Sequence, residues 1–367
     1  MLTSLRRGFT TNKDRKIIFS GIQPTGDAPH VGNYLGALKP WVKLQNEDVS
    51  ERLYSIVDLH ALTTINPEKT NLRNQTREMT AALLACGICP EKSIVYAQSD
   101  VVYHAELSWI LGCVTPINHL QRMTQYKEKK AKSPNLGLFA YPVLQAADIL
   151  LYRATHVPVG EDQAQHLELS RTLSPRINSS FVNIFFRTTG TIARSFNKYT
   201  GRNCLIPPTA MISKQSETSR VQSLRDATKK MSKSDPSDMS RINLTDCPDT
   251  IAKKIRKAKT DSESGLSFDS ASRPGVSNLI AMYASFRDNI SVEHAIQEIE
   301  PQNMGGLKAA LTDVLVEKIC PIGNKMRDLM SHPEYLDDVL NDGALRARER
   351  AERTMVDVRE ALKISIS

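Results

Sequence analysis

No apolar run in this chain approaches the ~18 residues that a bilayer-spanning helix needs, so neither a membrane span nor a membrane partner is expected. Cysteine is sparse and unpatterned. The six, at positions 86, 89, 113, 204, 247 and 320, form no framework of regular spacings, which argues against a disulfide scaffold and fits a reducing compartment. Cys86 and Cys89 make one C-x-x-C, but no second pair follows at zinc-finger spacing, and both close the apolar helical pattern "MTAALLACGIC". They read as packing and turn residues rather than metal ligands. His166 and Glu168 lack the H-E-x-x-H spacing, so no zinc-hydrolase centre is expected. Internal repeats and long low-complexity tracts are missing as well, which excludes solenoids and repeat arrays.

What is present is the make-up of an ordinary globular chain: 367 residues, 40% hydrophobic and 24% charged, enough for one large α/β domain and a smaller second one. Lysine and arginine number 48 against 40 acids, and the net charge of +8 suits a polyanionic partner such as nucleic acid. Part of that excess lies at the start, where Arg6, Arg7, Lys13, Arg15 and Lys16 face the single acid Asp14 among hydroxyl residues. Such a composition is that of a mitochondrial transit peptide, so residues 1–15 are read as a leader and the mitochondrial matrix as the destination.

"KIIFSGI" (16–22), "RLYSIVDL" (52–59) and "SIVYAQSD" (93–100) are short, β-branched and bounded by Gly, Asp or Pro, the mark of buried parallel strands. Helical patterns, "LGALKPWVKLQ" and "LRNQTREMTAALLACG", alternate with them, predicting a doubly wound, Rossmann-like α/β sheet over 16–240. Ligands of such sheets lie beyond the carboxyl ends of the strands. From 241 to 367 the pattern turns almost wholly helical, and a second, α-helical domain is expected there. One stretch breaks the scheme. "EDQAQHLELSRTL" runs as a helix that "IARSFNKY" would continue, yet residues 174–191 intervene and Pro175 should end the first part. That stretch is read as an inserted loop, or an artefact of the gene model, without function.

Chemistry concentrates in four places. "FSGIQPTGDAPHVGNYLGA" (19–37) follows the first strand and opens a helix near Gly32 and Asn33, a junction whose free N–H groups and dipole suit phosphate. It matches neither the P-loop nor the dinucleotide fingerprint. "YPVLQAADILLY" (141–152) is apolar but for Gln145 and Asp148, and helical spacing puts Tyr141, Gln145 and Asp148 on one face. A carboxylate in that setting needs a donor, from the protein or from a ligand's ring N–H. "VPVGEDQAQHLELSR" (157–171) repeats the strand, glycine and helix-start arrangement, with Glu161 and Asp162 also explicable as caps. "TKKMSKSDPSD" (228–238) sets Lys229, Lys230 and Lys233 on a segment too polar to bury, a device for gripping an anion as its charge rearranges.

In one order, these four segments resemble the tryptophanyl-tRNA synthetases, class I aminoacyl-tRNA synthetases, most closely their animal mitochondrial form. The resemblance runs from about Lys16 to the C-terminus, with "SIVDLHALT", "RMTQYKEK" and "PGVSNLIAMYASF" adding to it. The family's HIGH signature matches His30, Val31, Gly32 and Asn33, and its KMSKS signature matches Lys230, Met231, Ser232, Lys233 and Ser234 without change. The resemblance implies ATP-dependent formation of tryptophanyl-adenylate and transfer to tRNA(Trp), with Mg²⁺ carried by ATP. It assigns phosphate chemistry to Lys230, Lys233, His30 and Lys129. It assigns ATP contact to Gln23, Pro24, Thr25, Gly32, Asn33, Gly160, Glu161, Asp162, the Val221 backbone and the KMSKS residues. Around the tryptophan it puts Asp148 as acceptor of the indole N–H, with Tyr141, His60, Phe19, Gly21 and Gln163. It further implies a homodimer and an anticodon-binding role for the helical domain.

The sequence departs from the pattern twice: the spacing from Thr25 to His30 is one residue longer than usual, and Gln145 stands where bacterial members carry Met. Glutamine there is shared with tyrosyl-tRNA synthetases, which makes tyrosine the alternative substrate. From another class, an inactive RNA-binding protein would use the basic helix around Lys253, Lys254, Arg256 and Lys257, whose plainer reading is a solvated face.

Overall fold

In the computed structural model the structure describes residues 16–24, 28–47, 50–63, 70–121, 135–159, 181–212, 221–233 and 235–364. Five strands form one sheet: β1 (Ile17–Ile22), β2 (Glu51–Ile56), β3 (Ile94–Ala97), β4 (His156–Val159) and β5 (Thr209–Ile212), in the order β3-β2-β1-β4-β5. Every adjacent pair is parallel. The chain therefore leaves β1 towards one side, to β2 and β3, and returns to the other through β4 and β5. That reversal, between β1 and β4, is the switch point at whose carboxyl edge doubly wound sheets hold ligands.

Successive side chains of a strand face opposite sides of the sheet, and Leu53 and Tyr54 of β2 belong to two different hydrophobic cores. One core joins Tyr54, Ile56, Val31 and Leu35 to Met231, Ile242 and the helices Pro274–Phe286 and Met304–Met330. The other joins Phe19, Leu53 and Tyr96 to the helices Tyr103–Gly112, Leu136–Leu150 and Phe181–Thr200, and to the C-terminal helix Pro333–Leu362. Ala344, Ala347, Ala351, Met355 and Val358 supply that last contact at three- and four-residue spacing, a single helix face. The change at residue 240 is thus one of element type, and both cores run across it.

The stretch expected as an insertion is corrected for residues 181–191. These form the first half of the helix Phe181–Thr200, and residues 174–180 lie outside the described residues. Thr189, Ile192, Ala193 and Phe196 are buried at helical spacing in the second core, and this packing accounts for the helix where the sequence, read without its partner elements, does not. Cys86 caps the helix Leu72–Ala85, and the Cys89 N–H donates to Gln45 Oε1 at 2.8 Å, so both sit at the expected turn.

Candidate active site

Beyond β1 the chain bends through Gln23 and the buried Pro24 and reappears at Ala28, ahead of the His30 turn. His30 caps the helical run 31–47, which opens as an α-turn at Val31–Asn33, passes through a π-helical turn at Tyr34–Leu38 and continues as Lys39–Glu47. The cap is reciprocal. The Asn33 N–H donates to His30 Nδ1 at 3.3 Å, and the His30 N–H donates to Asn33 Oδ1 at 3.1 Å. A neutral ring that accepts at Nδ1 carries its proton on Nε2, so His30 is a donor at Nε2. Burial, then the charges of Lys233, Arg241 and Lys230, pushes its pKa down from 6.5 to about 3. It works as a neutral imidazole.

The expectation of a bare helix start is narrowed. Val31 N–H donates to Ile242 O at 2.8 Å, and Leu244 N–H donates to Pro29 O at 2.8 Å, so segment 242–244 runs antiparallel along the turn. With Val31 and Asn33 engaged, two of the first-turn donors serve the protein.

The KMSKS segment is the far arm of a small hairpin. Met231 N–H donates to Val221 O at 3.1 Å, Ser223 N–H donates to Lys229 O at 2.9 Å, and Gln222 bridges Lys230. Asn278 holds the near arm from both sides: its Oδ1 accepts from Gln222 N–H at 2.8 Å and its Nδ2 donates to Gln222 O at 3.1 Å. Val221 is buried with its carbonyl engaged by Met231, and one expectation changes: the segment read as too polar to bury buries Met231. Lys230 is exposed and Lys233 half-buried. A Cβ on Gly32 would stand 2.9 Å from His30 Cε1 and 3.8 Å from Met231 Cβ. The KMSKS segment and the His30 turn are therefore close neighbours, and glycine at 32 leaves room for the His30 ring.

The second centre is Asp148, on the helix Leu136–Leu150 and 1% exposed. His60 Nε2 lies 2.8 Å from Oδ2, while His104 Nδ1 at 2.7 Å and Gln98 Nε2 at 2.6 Å both meet Oδ1. Behind them, His104 Nε2 is 2.9 Å from the Tyr152 hydroxyl and 3.2 Å from that of Tyr96. Burial would raise the Asp148 pKa, yet hydrogen bonds from His104 and His60 outweigh it and hold the group down at about 2. Tyr141 meets His60 edge-on at 6.4 Å, and Phe19 stacks on Tyr152 at 5.9 Å. Gly21 is exposed at the end of β1, where a Cβ would meet Val57 at 2.9 Å. Phe19, His60, Tyr141 and Asp148 thus lie in one connected cluster at the carboxyl edge of the sheet. Of the two sources of a donor left open, the protein supplies three, and a carboxylate with four lone-pair sites can accept one more hydrogen bond. The side-chain oxygens Gln98 Oε1 and Gln145 Oε1, on the same cluster, are buried without a hydrogen-bond partner among the described residues.

Thr25, Lys129, Gly160, Glu161, Asp162, Gln163 and Ser234 lie outside the described residues. Among residues the sequence did not single out, Gln98 and His104 complete the Asp148 cluster. Position was the available signal: Gln98 follows β3 at its carboxyl end, and His104 shares a helix face with Leu107 and Leu111. The basic helix Pro248–Arg256 is corrected at one residue. Lys254 is turned inward onto Asp238 and Asp246, so it belongs neither to a solvated face nor to an RNA surface.

Comparison with known proteins agrees with this geometry. Residues 11–317 match the family of class I tRNA synthetases for tryptophan and tyrosine. The chain is 48% identical over 354 residues to the tryptophan–tRNA ligase of Brucella melitensis, covering 94% of this chain and 97% of that one. It is 44% identical over 349 residues to the tryptophan–tRNA ligase of Rickettsia conorii, covering 94% and 98%. The tryptophanyl-tRNA synthetase of Mycoplasma pneumoniae superposes with a TM-score of 0.79 at 28% identity, over 96% of this chain and 98% of that one. That of Campylobacter jejuni, solved with ADP and tryptophan, superposes at 0.75 with 29% identity over 95% and 99%. With a doubly wound sheet, the KMSKS segment beside the His30 turn and relatives matched almost end to end, the chain belongs to the class I tRNA synthetases of the tryptophan and tyrosine family, among the tryptophan–tRNA ligases.

Proposed function

We propose that the protein activates L-tryptophan with ATP and passes it to tRNA(Trp). In the first step a carboxylate oxygen of tryptophan attacks the α-phosphorus of ATP. The new O–P bond forms as the bond to the bridging oxygen breaks, and pyrophosphate leaves with the negative charge. Little covalent work falls to the protein, so the rate must come from positioning and from charge placed where charge develops. Lys230 and Lys233 supply that charge beside the His30 turn, and neutral His30 supplies an Nε2–H donor. Lys129, Thr25, Gly160, Glu161, Asp162 and Ser234 are taken as further nucleotide contacts on the family pattern, and Gln163 as a tryptophan contact. The Mg²⁺ ion is read as a passenger on ATP; among the described residues no group of three or more His, Cys, Asp or Glu is placed to hold a metal ion.

Asp148 is taken as the acceptor of the indole N–H. Its permanent ionisation suits that task, because a buried carboxylate left one hydrogen bond short discriminates against substrates without the matching donor. The observation that carries the whole reading is the closeness of Met231 to the His30–Gly32 turn at the switch point of the sheet.

Three finer parts belong to the same proposal. The helices after residue 240 are taken to contact the tRNA anticodon. A homodimer is supported by the exposed apolar side chains Trp109 and Ile117, on two helices that pack against Leu136–Leu150, and Leu136 on that helix itself. Action in mitochondrial translation rests on the composition of residues 1–15. Exchange of labelled pyrophosphate into ATP in the presence of tryptophan, tyrosine or no amino acid tests the activity. Exchange with tryptophan alone is expected, and exchange with tyrosine, or none, would reject the assignment.

A further inference from the structure

Between the KMSKS hairpin and the His30 turn lies a bar of nine residues, 238–246, that touches both. On one side Leu224 N–H, in the hairpin, donates to Ser240 O at 2.9 Å. On the other, Ile242 O accepts from Val31 N–H and Leu244 N–H donates to Pro29 O, each at 2.8 Å. The bar is fastened by an ionic cluster around a buried lysine. Lys254, 1% exposed, donates from Nζ to Asp238 Oδ2 at 2.6 Å and to Asp246 Oδ2 at 2.7 Å, so one ammonium pins both ends. Between the ends, Asn243 Nδ2 donates to Asp238 Oδ1 at 2.8 Å and Asn243 N–H donates to Asp246 Oδ2 at 2.9 Å. Arg241 closes the set. Its guanidinium reaches Asn243 Oδ1 at 3.2 Å, Asp238 Oδ1 at 3.2 Å and the carbonyl of Asp235, two residues beyond Lys233, at 3.1 Å.

A lysine on a basic helix ordinarily keeps its ammonium in water, and burying one is tolerated only when it is fully paired. Its neighbours Lys253, Arg256 and Lys257 are exposed, so the helix has solvent available and sends this one residue inward. We propose that Lys254 is a positioning residue for adenylate formation, setting the distance between the KMSKS lysines and the His30 turn through the 238–246 bar. This rests on the reading of those motifs as the ATP site. Lys254 itself touches neither motif. Its effect on the reaction passes through Asp238 and Asp246, and a displacement of the lysines by about 1 Å is enough to cost ~100-fold in rate.

The test separates the two steps of the reaction in the full chain. Lys254→Met is compared with wild type in tryptophan-dependent pyrophosphate exchange and in single-turnover transfer from preformed tryptophanyl-adenylate to tRNA. Exchange kcat is expected to fall about 100-fold, with the KM for tryptophan and the transfer rate unchanged, because transfer involves no pyrophosphate. Lys254→Arg should restore most of the loss. Asp238→Asn provides the second arm: its side chain is 53% exposed, so the fold tolerates the change, and it should show the same split in milder form. Equal losses in exchange and transfer, a matching rise in tryptophan KM, or unchanged exchange would overturn the proposal. If Lys254→Met fails to fold, Asp238→Asn decides alone. Absence of exchange in wild type would instead reject the ATP-site reading, so the two failures are distinguishable.

Discussion

His30 has been moved out of the range where histidine normally titrates, and the consequence can be measured. The unfolded chain takes up this proton near pH 6.5, whereas the folded chain refuses it until about pH 3. Stability from this group is therefore complete above 6.5 and declines as pH falls through the interval, by about 1.4 kcal/mol per unit. An NMR titration should find the His30 ring neutral from about pH 5 to 8; a midpoint near 6.5 would contradict the burial described. Asp148 invites a second test. Asp148→Asn keeps the shape and removes the charge that His60, His104 and Gln98 surround, and kcat/KM for tryptophan should fall at least ~100-fold through the lost charged hydrogen bond. Steady-state exchange kinetics check this, and near-normal values would mean the indole lies elsewhere. Asp148 was legible because a lone acid stands out in "YPVLQAADILLY". Gln98 and His104 were not, since their partner lies 50 and 44 positions away and only the fold brings them together.

At the scale of elements, the join between the sheet and the C-terminal helix is the most exposed to attack by mutation. Gly343, within Pro333–Leu362, faces Val95 of β3 so closely that a Cβ would overlap the Val95 carbonyl. Gly343→Val should wedge helix from strand and cost on the order of 3 kcal/mol, read by chemical denaturation; a change below about 0.5 kcal/mol would show that the helix can shift freely. β1, β2 and β3 were readable because each is a short run rich in apolar and β-branched residues with Gly, Asp or Pro at its boundaries, close to the pattern of a strand buried on both faces. β5 gave no such signal: it has four residues, and it follows Pro207 and Pro208. The helix Phe181–Thr200 was legible only from Ile192 onward: before it, Pro175 and the hydroxyl- and glycine-rich run 187–191 suggest a loop, and the burial of Thr188 and Thr189 is set by partners the local sequence does not show.

For the molecule as a whole, the sequence placed a domain boundary at 240 by a change in periodicity, and the named elements after that point are all helices. What periodicity cannot report is which faces meet. Met231, Ile242 and Leu279 share one core with Tyr54, so the helical region and the sheet stabilise each other. Trp109 is 77% exposed, and if its helix joins two copies, Trp109→Glu should convert a dimer to a monomer in sedimentation analysis. A wild-type monomer would remove that part of the proposal. The central claim is that two distant motifs meet on one triphosphate beside a tryptophan pocket. Its most direct test is exchange of labelled pyrophosphate into ATP by the wild type and Lys233→Ala side by side. The account predicts exchange that requires tryptophan in the wild type and falls ~100-fold or more in the variant; equal exchange in both, or none that depends on tryptophan, would contradict it.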